Sequence, residues 1–88
     1  MLYRVMTFFG KKKYTHGENL TLAEARVAAL KLGTGTIIVA EDGRYMARVA
    51  SREVHTKRDG LIRAYLIRAS VEASKEERKE LDRIAWGE

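Results

Sequence analysis

The chain contains no cysteine and no proline, and only 8% of its 88 residues are aromatic. Without cysteine it cannot form disulfides, thiolate nucleophiles or cysteine-ligated zinc sites. This absence fits a reducing, cytoplasmic setting, which is the localisation we expect. Because no proline-rich, low-complexity or repeated segment divides the chain, we expect a single small domain spanning residues 1–88.

Long apolar runs are also missing. The apolar segment at residues 1–9 is interrupted by Arg4, and three lysines follow it: Lys11, Lys12 and Lys13. A secretory signal has the opposite charge order, with the basic residues first and a longer apolar run after them. No segment approaches the roughly 18 unbroken apolar residues of a membrane helix. We therefore expect no membrane partner.

The composition that remains is typical of a folded protein, with 45% hydrophobic and 33% charged residues. The net charge of +5 is unevenly distributed. Residues 1–71 contain 13 basic and 6 acidic side chains, whereas residues 72–88 contain 4 basic and 6 acidic ones. A basic body attracts nucleic acid or an acidic protein surface, and the attraction weakens with salt.

The centre of the chain predicts a long β-hairpin. Two segments rich in apolar residues and arginine, within residues 44–71, meet at Lys57-Arg58-Asp59-Gly60. Asp-Gly is a strong hairpin signal because glycine accepts the positive φ that the turn requires. The alternative is a single helix from Gly60 to Trp86, since apolar residues recur there at helical spacing. The capping box that begins at Ser74 favours a new element after that point.

The length of the hairpin turn decides which side chains share a face. A two- or four-residue turn would place Arg48, Arg52, Arg63 and Tyr65 together on one face. A three-residue turn with a glycine bulge is equally compatible with Asp-Gly, and it would replace Arg63 and Tyr65 with Arg68. In either register one face of the hairpin carries at least three arginines.

The flanking segments predict the rest of the sheet and the first helix. Residues Leu2–Phe9 form a strand, and Lys11–His16 form either a short return strand or a basic loop. A Thr-x-x-Glu capping box starts a helix at Thr21, and Gly33 ends it. Residues Thr36–Ala40 are apolar on both alternating faces, which is typical of an interior strand.

A second helix is predicted from Lys75 to Trp86. Its narrow apolar face consists of Leu81, Ile84 and Ala85, and Trp86 is the expected docking anchor. The predicted fold is a two-layer α+β domain with an antiparallel meander sheet, in the order β(β)αβββα. It has one well-packed helix and a C-terminal amphipathic helix.

From Thr21 to Trp86 the predicted order of helix, three strands and helix resembles the double-stranded RNA-binding domain. The last helix of this chain also opens with Ser74-Lys75. That family presents lysines at the start of its last helix, where this chain has Glu76 and Glu77. The resemblance therefore extends to the topology and not to the residues that contact RNA.

The chain offers little that would support catalysis. Ser51 or Ser70 with His55 and Glu53 is the only arrangement of nucleophile, base and acid that the strands suggest. Neither serine lies in the sharp turn that exposes a hydrolase nucleophile. The two histidines, His16 and His55, lack the spacing of paired metal ligands. We expect no catalytic residue, no metal site and no cofactor.

The basic side chains point instead to a non-catalytic binding module for nucleic acid or a ribonucleoprotein, because arginine pairs with phosphate and tyrosine stacks on bases. The candidate binding residues are Lys11, Lys12, Lys13, Arg48, Arg52, Lys57, Arg58, Arg63, Tyr65 and Arg68. The alternative is a small protein-binding inhibitor or adaptor, such as a phage-type antagonist of a larger host complex. It would contact an acidic protein surface or add a strand to a sheet edge. A homodimer paired through an edge strand is compatible with both hypotheses.

Overall fold

The computed structural model describes residues 1–58, 60–81 and 84–86. Within the strands, the side chains at positions 52, 54, 56, 62, 63 and 84–86 lie outside this description. The elements in chain order are β1 (Tyr3–Phe9), β2 (Lys12–Leu20), α1 (Leu22–Leu32), β3 (Thr36–Ala40), β4 (Tyr45–Thr56), β5 (Gly60–Ala69), α2 (Lys75–Leu81) and β6 (Ile84–Trp86).

The strands form one antiparallel sheet in the order β2-β1-β3-β4-β5-β6, and the helices form a second layer. Helix α1 links β2 to β3 and crosses the sheet in contact with β1, while α2 contacts α1 and β5. The predicted two-layer α+β fold is therefore confirmed. Strand β3 lies between β1 and β4, as its apolar residues on both faces had predicted.

The core lies between the helices and one face of the sheet. Val5, Ile38 and Ala47 are aligned across β1, β3 and β4, and all three are fully buried. Ala25 and Ala29 of α1 meet this face, and their small side chains let the helix axis approach the strands closely. Because side chains alternate along a strand, the neighbours of Val5 and Ile38 point to the opposite face. In β4 a register shift beside Ala47 interrupts this alternation, and Met46 is also buried in the core.

Helix α1 begins and ends where the sequence predicts. The Thr21 amide donates to Glu24 Oε1 at 2.9 Å, and the Glu24 amide donates to Thr21 Oγ1 at 3.2 Å. These two bonds satisfy amides that have no partner within the helix itself. At the other end the Gly33 amide donates to the Ala29 carbonyl, and the φ of Gly33 is +85°. Glycine reaches this conformation without the strain that a Cβ would add.

The central hairpin is present, and its turn has three residues. Thr56 pairs with Gly60, so residues 57–59 connect the strands, and the φ of Gly60 is +72°. Asp59, which the sequence analysis placed in this turn, lies outside the described residues. The alternative of one helix from Gly60 to Trp86 is wrong, because β5 pairs with β4 along its whole length.

The basic segment after β1 is a strand, not a loop. Strand β2 starts at Lys12 and extends to Leu20, four residues further than the predicted return strand. Phe9 pairs with Lys12 and Phe8 with Lys13, so the turn consists of Gly10 and Lys11. The φ of Gly10 is +61°, which glycine tolerates and most other residues do not.

The C-terminal prediction was wrong in its extent. Helix α2 has the predicted capping box, since the amide of Ser74 donates to Glu77 Oε1 at 2.8 Å and the Glu77 amide donates to Ser74 Oγ. It ends at Leu81, and Ile84–Trp86 form β6 against β5. A strand in this position satisfies backbone groups on the edge of β5, which a continued helix would leave unpaired. The side chain of Trp86, predicted as an anchor, lies outside the description.

Candidate nucleic-acid interface

The three-residue turn determines which face of the hairpin carries the arginines. Arg48 lies directly opposite Arg68, and Arg52 lies opposite Ala64. Their neighbours Val49 and Ile67 are in the core, so Arg48 and Arg68 point away from the helices. We call this side of the sheet the open face, because no described element covers it. The position of Arg52 is on the same face, but its side chain lies outside the description.

The structure separates Tyr65 from these arginines. Tyr65 pairs with Ser51 and lies on the helix-covered face, where it is partly buried. A Cβ added at Gly33 would lie 3.7 Å from Tyr65 Cε1, so the ring packs close to the end of α1. Arg63 occupies a position on this same face by alternation, and its side chain is not described. The register with Arg63 and Tyr65 beside Arg48 is thus not the one adopted.

Arg48 and Arg68 form an unusual cross-strand pair. Both side chains are exposed, and among the described residues neither makes a hydrogen bond or an ion pair. Like charges placed directly opposite each other in an antiparallel sheet destabilise it, on the order of 0.2–1 kcal/mol. The pairing therefore does not serve the stability of the sheet.

The arginine pair borders an apolar strip on the open face. In one row across the sheet, Met6 pairs with Ile37, which pairs with Arg48. Met6 and Ile37 are partly exposed, and no helix covers them. At the far side of this strip Lys13 Nζ lies 5.8 Å from the centre of the Phe8 ring, which is 41% exposed. The open face thus presents apolar side chains between cations.

Arg4 also belongs to the open face, although the sequence analysis did not include it among the candidates. It pairs with Val39 and lies between the core residues Tyr3 and Val5, so its side chain points away from the helices. Its Nε atom is buried and has no hydrogen-bond partner among the described residues. Alternation within β1 could have identified this position once the buried face was known.

The two basic turns lie at the same end of the sheet, where β1 and β4 finish. Strands β1 and β4 are both antiparallel to β3, so they run in the same direction and the turns that follow them lie at the same end of the strands. From the row that Met6 and Arg48 share, β1 continues to Phe9 and β4 continues further, to Thr56. We call these residues the basic edge: Lys11, Lys12, Lys13, Lys57 and Arg58. All five side chains are exposed, and none has a described hydrogen bond or ion pair. Topology thus brings together two groups of cations that are far apart in the sequence.

At the opposite end of the sheet, the arginine side chain is paired with carboxylates. Arg44 Nε donates to Asp42 Oδ2 at 2.8 Å, and its Nη1 donates to Glu77 Oε1 at 3.1 Å and to the Glu72 carbonyl. The Tyr3 hydroxyl donates to the other oxygen of Glu77. We call this group the carboxylate cluster: Tyr3, Asp42, Arg44, Glu72 and Glu77. No local sequence pattern indicates this cluster, because Glu77 is 33 residues from Arg44.

The carboxylate cluster shifts the pKa values of four of its members, and the shifts are largest for Glu77 and Tyr3. Burial alone would raise the pKa of Glu77, but hydrogen bonds from Tyr3, Ser74 and Arg44 outweigh it and lower the pKa to about 2. Burial and the bond to Glu77 raise the pKa of Tyr3 to about 12. Glu77 is thus held as an anion and Tyr3 as a neutral donor, which is the charge state that fixes Arg44 in place.

The side chains considered for catalysis have separate positions. Ser70 Oγ donates to the Tyr45 carbonyl at 2.6 Å and accepts from the Glu72 amide, so it braces a turn. His55 and Ser51 are exposed on β4, and no described bond links them. His16 Nε2 lies 2.6 Å from Thr7 Oγ1 on the neighbouring strand. In the described part of the chain no three acidic or histidine side chains gather as a metal site.

Comparisons of this chain with protein-family models, with curated proteins and with solved structures found no match. No helix within the described ranges is long and apolar enough to cross a membrane. The open face and the basic edge are therefore the features of the molecule that indicate a function.

Proposed function

We propose that this chain is a non-catalytic nucleic-acid-binding module that contacts phosphate groups through its open face and its basic edge. The observation that carries the proposal is the pair of Arg48 and Arg68, which are opposite each other, exposed and without a described partner. A phosphate placed between two guanidinium groups removes their mutual repulsion and accepts hydrogen bonds from both. Binding of phosphate would then remove the destabilisation that the repulsion between Arg48 and Arg68 causes in the free protein.

The basic edge supports the same conclusion. Lys11, Lys12 and Lys13 on one turn and Lys57 and Arg58 on the other present five cations to solvent at one end of the sheet. Neutralising phosphates with such side chains releases counterions from the nucleic acid, which drives association in a strongly salt-dependent way. The proposed interface therefore comprises the open face and the edge next to it.

The positions of the aromatic rings favour contact with the phosphate backbone over stacking on bases. Tyr65 is on the helix-covered face, and Tyr14 packs edge-on against Phe9, with ring centres 5.8 Å apart. Tyr14 pairs with Thr7, which is on the helix side of β1 by alternation from Val5. The described aromatic residues on the open face are Phe8, which is 41% exposed, and Tyr45, which pairs with Val39 and is partly buried. We therefore propose binding with little dependence on sequence.

The proposal is tested by fluorescence anisotropy with labelled 20-nucleotide oligonucleotides, single-stranded and duplex, over a series of salt concentrations. We expect binding at low salt that weakens steeply as salt rises. In the variant Arg48→Gln/Arg68→Gln, the loss of two phosphate contacts should reduce the slope of log K against log salt by about 2 on a duplex. Glutamine retains hydrogen-bonding capacity without the charge.

The matched control is Lys75→Gln/Lys79→Gln, which removes the same charge from exposed positions on α2, in the helix layer. It should leave the salt slope nearly unchanged. If no oligonucleotide binds at low salt, the proposed function is wrong. If both double variants lose affinity equally, only net charge matters and the open face is not the interface.

A second candidate is a protein-binding inhibitor or adaptor, and the apolar strip on the open face favours it. Met6, Ile37, Val39 and Leu66 are partly exposed there without a covering layer. Apolar side chains surrounded by charged ones are typical of protein interfaces. A complex of this kind would form with a specific acidic protein and would persist at salt concentrations that abolish binding to nucleic acid.

A further inference from the structure

The apolar strip of the open face has cations at both of its sides. Met6 and Ile37 are neighbours in one row across the sheet, and Arg48 continues that row on β4. Phe8 follows Met6 on the same face of β1 and pairs with Lys13 of β2. Adjacent strands are about 4.8 Å apart, so about 10 Å separate β1 from β4. A sheet face formed by four strands is large enough to hold about two or three unpaired bases.

The sequences of the four central strands place no acidic residue on the open face. Strands β1, β3 and β5 contain no aspartate or glutamate, and β4 contains one, Glu53. Glu53 is on the helix-covered face by alternation from Val49, which is in the core. The charged residues that these strands place on the open face are therefore all arginines. Such a face is complementary to a polyanion.

A duplex makes poor use of this face. Its bases are stacked on one another, and only their edges can be reached from the grooves. The major groove is about 12 Å wide, whereas β1 and β5 are three strand spacings apart, or about 14 Å. The face would therefore meet a duplex only at its phosphates, with Met6 and Ile37 against charged groups and water. The apolar strip would contribute nothing to such a complex.

A single strand can use both the apolar and the charged parts of the face. Its unpaired bases turn towards the protein and bury their faces on apolar side chains, while its phosphates contact cations. Met6 and Ile37 would lie under the bases, and Arg48 and Arg68 would contact phosphates at one side of the strip. Because Met6 and Ile37 are aliphatic, they exclude water from the face of any base alike. The contact thus keeps the low sequence dependence of the proposed function.

We propose that the nucleic acid bound by this chain is single-stranded, with unpaired bases on the apolar strip and the neighbouring phosphates on Arg48 and Arg68. The strand would continue past Phe8 towards Lys13, whose Nζ lies 5.8 Å from the centre of the Phe8 ring. This inference rests on the proposed function and adds the class of nucleic acid and the surface that binds its bases. It uses the same arginine contacts. Single-stranded DNA and RNA share the chemistry that the strip recognises.

The first test separates the contribution of the bases from that of the phosphates. Fluorescence anisotropy compares three labelled DNA ligands of equal length: a single strand, its duplex, and a strand built from abasic residues, which keeps the phosphates without the bases. The single strand should bind at least about tenfold more tightly than the abasic strand or the duplex. A protein that contacts phosphates alone would instead prefer the duplex, because the duplex has the higher charge density.

The outcomes distinguish the inference from the proposed function. If the abasic strand or the duplex binds as tightly as the single strand, the inference fails while the proposed function stands. If none of the three binds at low salt, the proposed function fails as well. The same comparison with single-stranded and duplex RNA should show the same preference for the single strand, and the tighter of the two single strands identifies the preferred sugar.

The second test addresses the apolar strip with the variant Met6→Thr/Ile37→Thr, which changes no charge. Its affinity for the single strand should fall about tenfold, while its salt slope and its affinity for the duplex stay unchanged. The control is Val27→Thr/Leu61→Thr, which removes side chains that are 49% and 57% exposed on α1 and on the opposite face of β5. Circular dichroism and urea midpoints verify the fold of each variant.

A loss of affinity confined to the strip variant, with an unaltered salt slope, would support the placement of the bases on Met6 and Ile37. If the strip variant binds the single strand as tightly as the unchanged protein, the bases do not lie there and the inference is wrong. An equal loss in the strip variant and the control would also overturn it, because the effect would then not belong to the open face.

Discussion

Arginines towards the two ends of the sheet differ in their hydrogen-bond partners. At one end Arg44 is held by Asp42 and Glu77, with hydrogen bonds of 2.8 and 3.1 Å. Towards the other end Arg48 and Arg68 lie opposite each other without a described partner. Because each side chain has the same chemistry, the difference shows which arginines stabilise the fold and which remain available for a ligand. The carboxylate cluster stabilises the fold, and we propose that the open face binds nucleic acid.

The largest effect is expected from Glu77→Ala in the carboxylate cluster. Glu77 accepts from Tyr3 and Arg44 and closes the capping box of α2, and its side chain is only 12% exposed. Its removal leaves several donors without an acceptor, so the free energy of unfolding should fall by about 2–3 kcal/mol. Urea denaturation measures the change. The exposed neighbour is the control: Glu76→Ala should change stability by less than about 0.5 kcal/mol.

Acid should weaken the same cluster. The pKa of Glu77 falls to about 2 in the folded protein from its ordinary value of 4.5, so the folded state binds this proton less readily than the unfolded chain. The stability that Glu77 provides is therefore complete above its ordinary pKa and is lost as the pH falls towards 2. Urea midpoints measured between about pH 6 and pH 3 should decline. In Glu77→Gln this part of the decline should disappear, and a decline of unchanged size would contradict the assignment.

A matched pair of arginine substitutions tests the comparison directly. Arg44→Gln removes hydrogen bonds to two carboxylates and should lower the free energy of unfolding. Arg48→Gln removes no described bond and should change it by less than about 0.5 kcal/mol. Both variants have the same change in charge, and thermal denaturation distinguishes them. Equal losses of stability would show that the two arginines have the same role.

The smallest effect is expected from relieving the repulsion on the open face. Arg68→Thr removes one of two like charges and places a residue with high strand propensity at that position. Stability should rise by a few tenths of a kcal/mol, while affinity for the oligonucleotide falls. An increase in stability at the expense of binding would establish that Arg68 is retained for a ligand. A loss of stability would indicate an unrecognised structural contact.

Some of this architecture was predictable because its causes are local. The capping boxes at Thr21 and Ser74 each require two residues three positions apart, and both formed as predicted. The hairpin turn was predictable from Asp-Gly. Its length was not, since two registers were compatible with the same residues. A change of one residue in register moves every following side chain to the other face, which is why the position of Tyr65 could not be predicted.

Other features depend on segments that are distant in the sequence. The residues of β6 have a helical pattern when considered alone, and they become a strand because the edge of β5 lies beside them. The binding of Arg44 to Glu77 requires α2 to pack next to the β3–β4 turn, which no local pattern indicates. The pairing of Arg48 with Arg68 follows from the turn length, so it was predicted in only one of the two registers.

The sequence by itself determined where both helices begin, where α1 ends and where the main hairpin turns, because capping and turn formation involve residues only a few positions apart. It also determined that the body of the chain is basic. Only the tertiary structure decided which arginines are neutralised and which face the solvent. The helices cover one face of the sheet, and because β1 and β4 run in the same direction, both basic turns lie at one end of it. Those outcomes depend on packing between distant segments, where burial and strand order outweigh local preference.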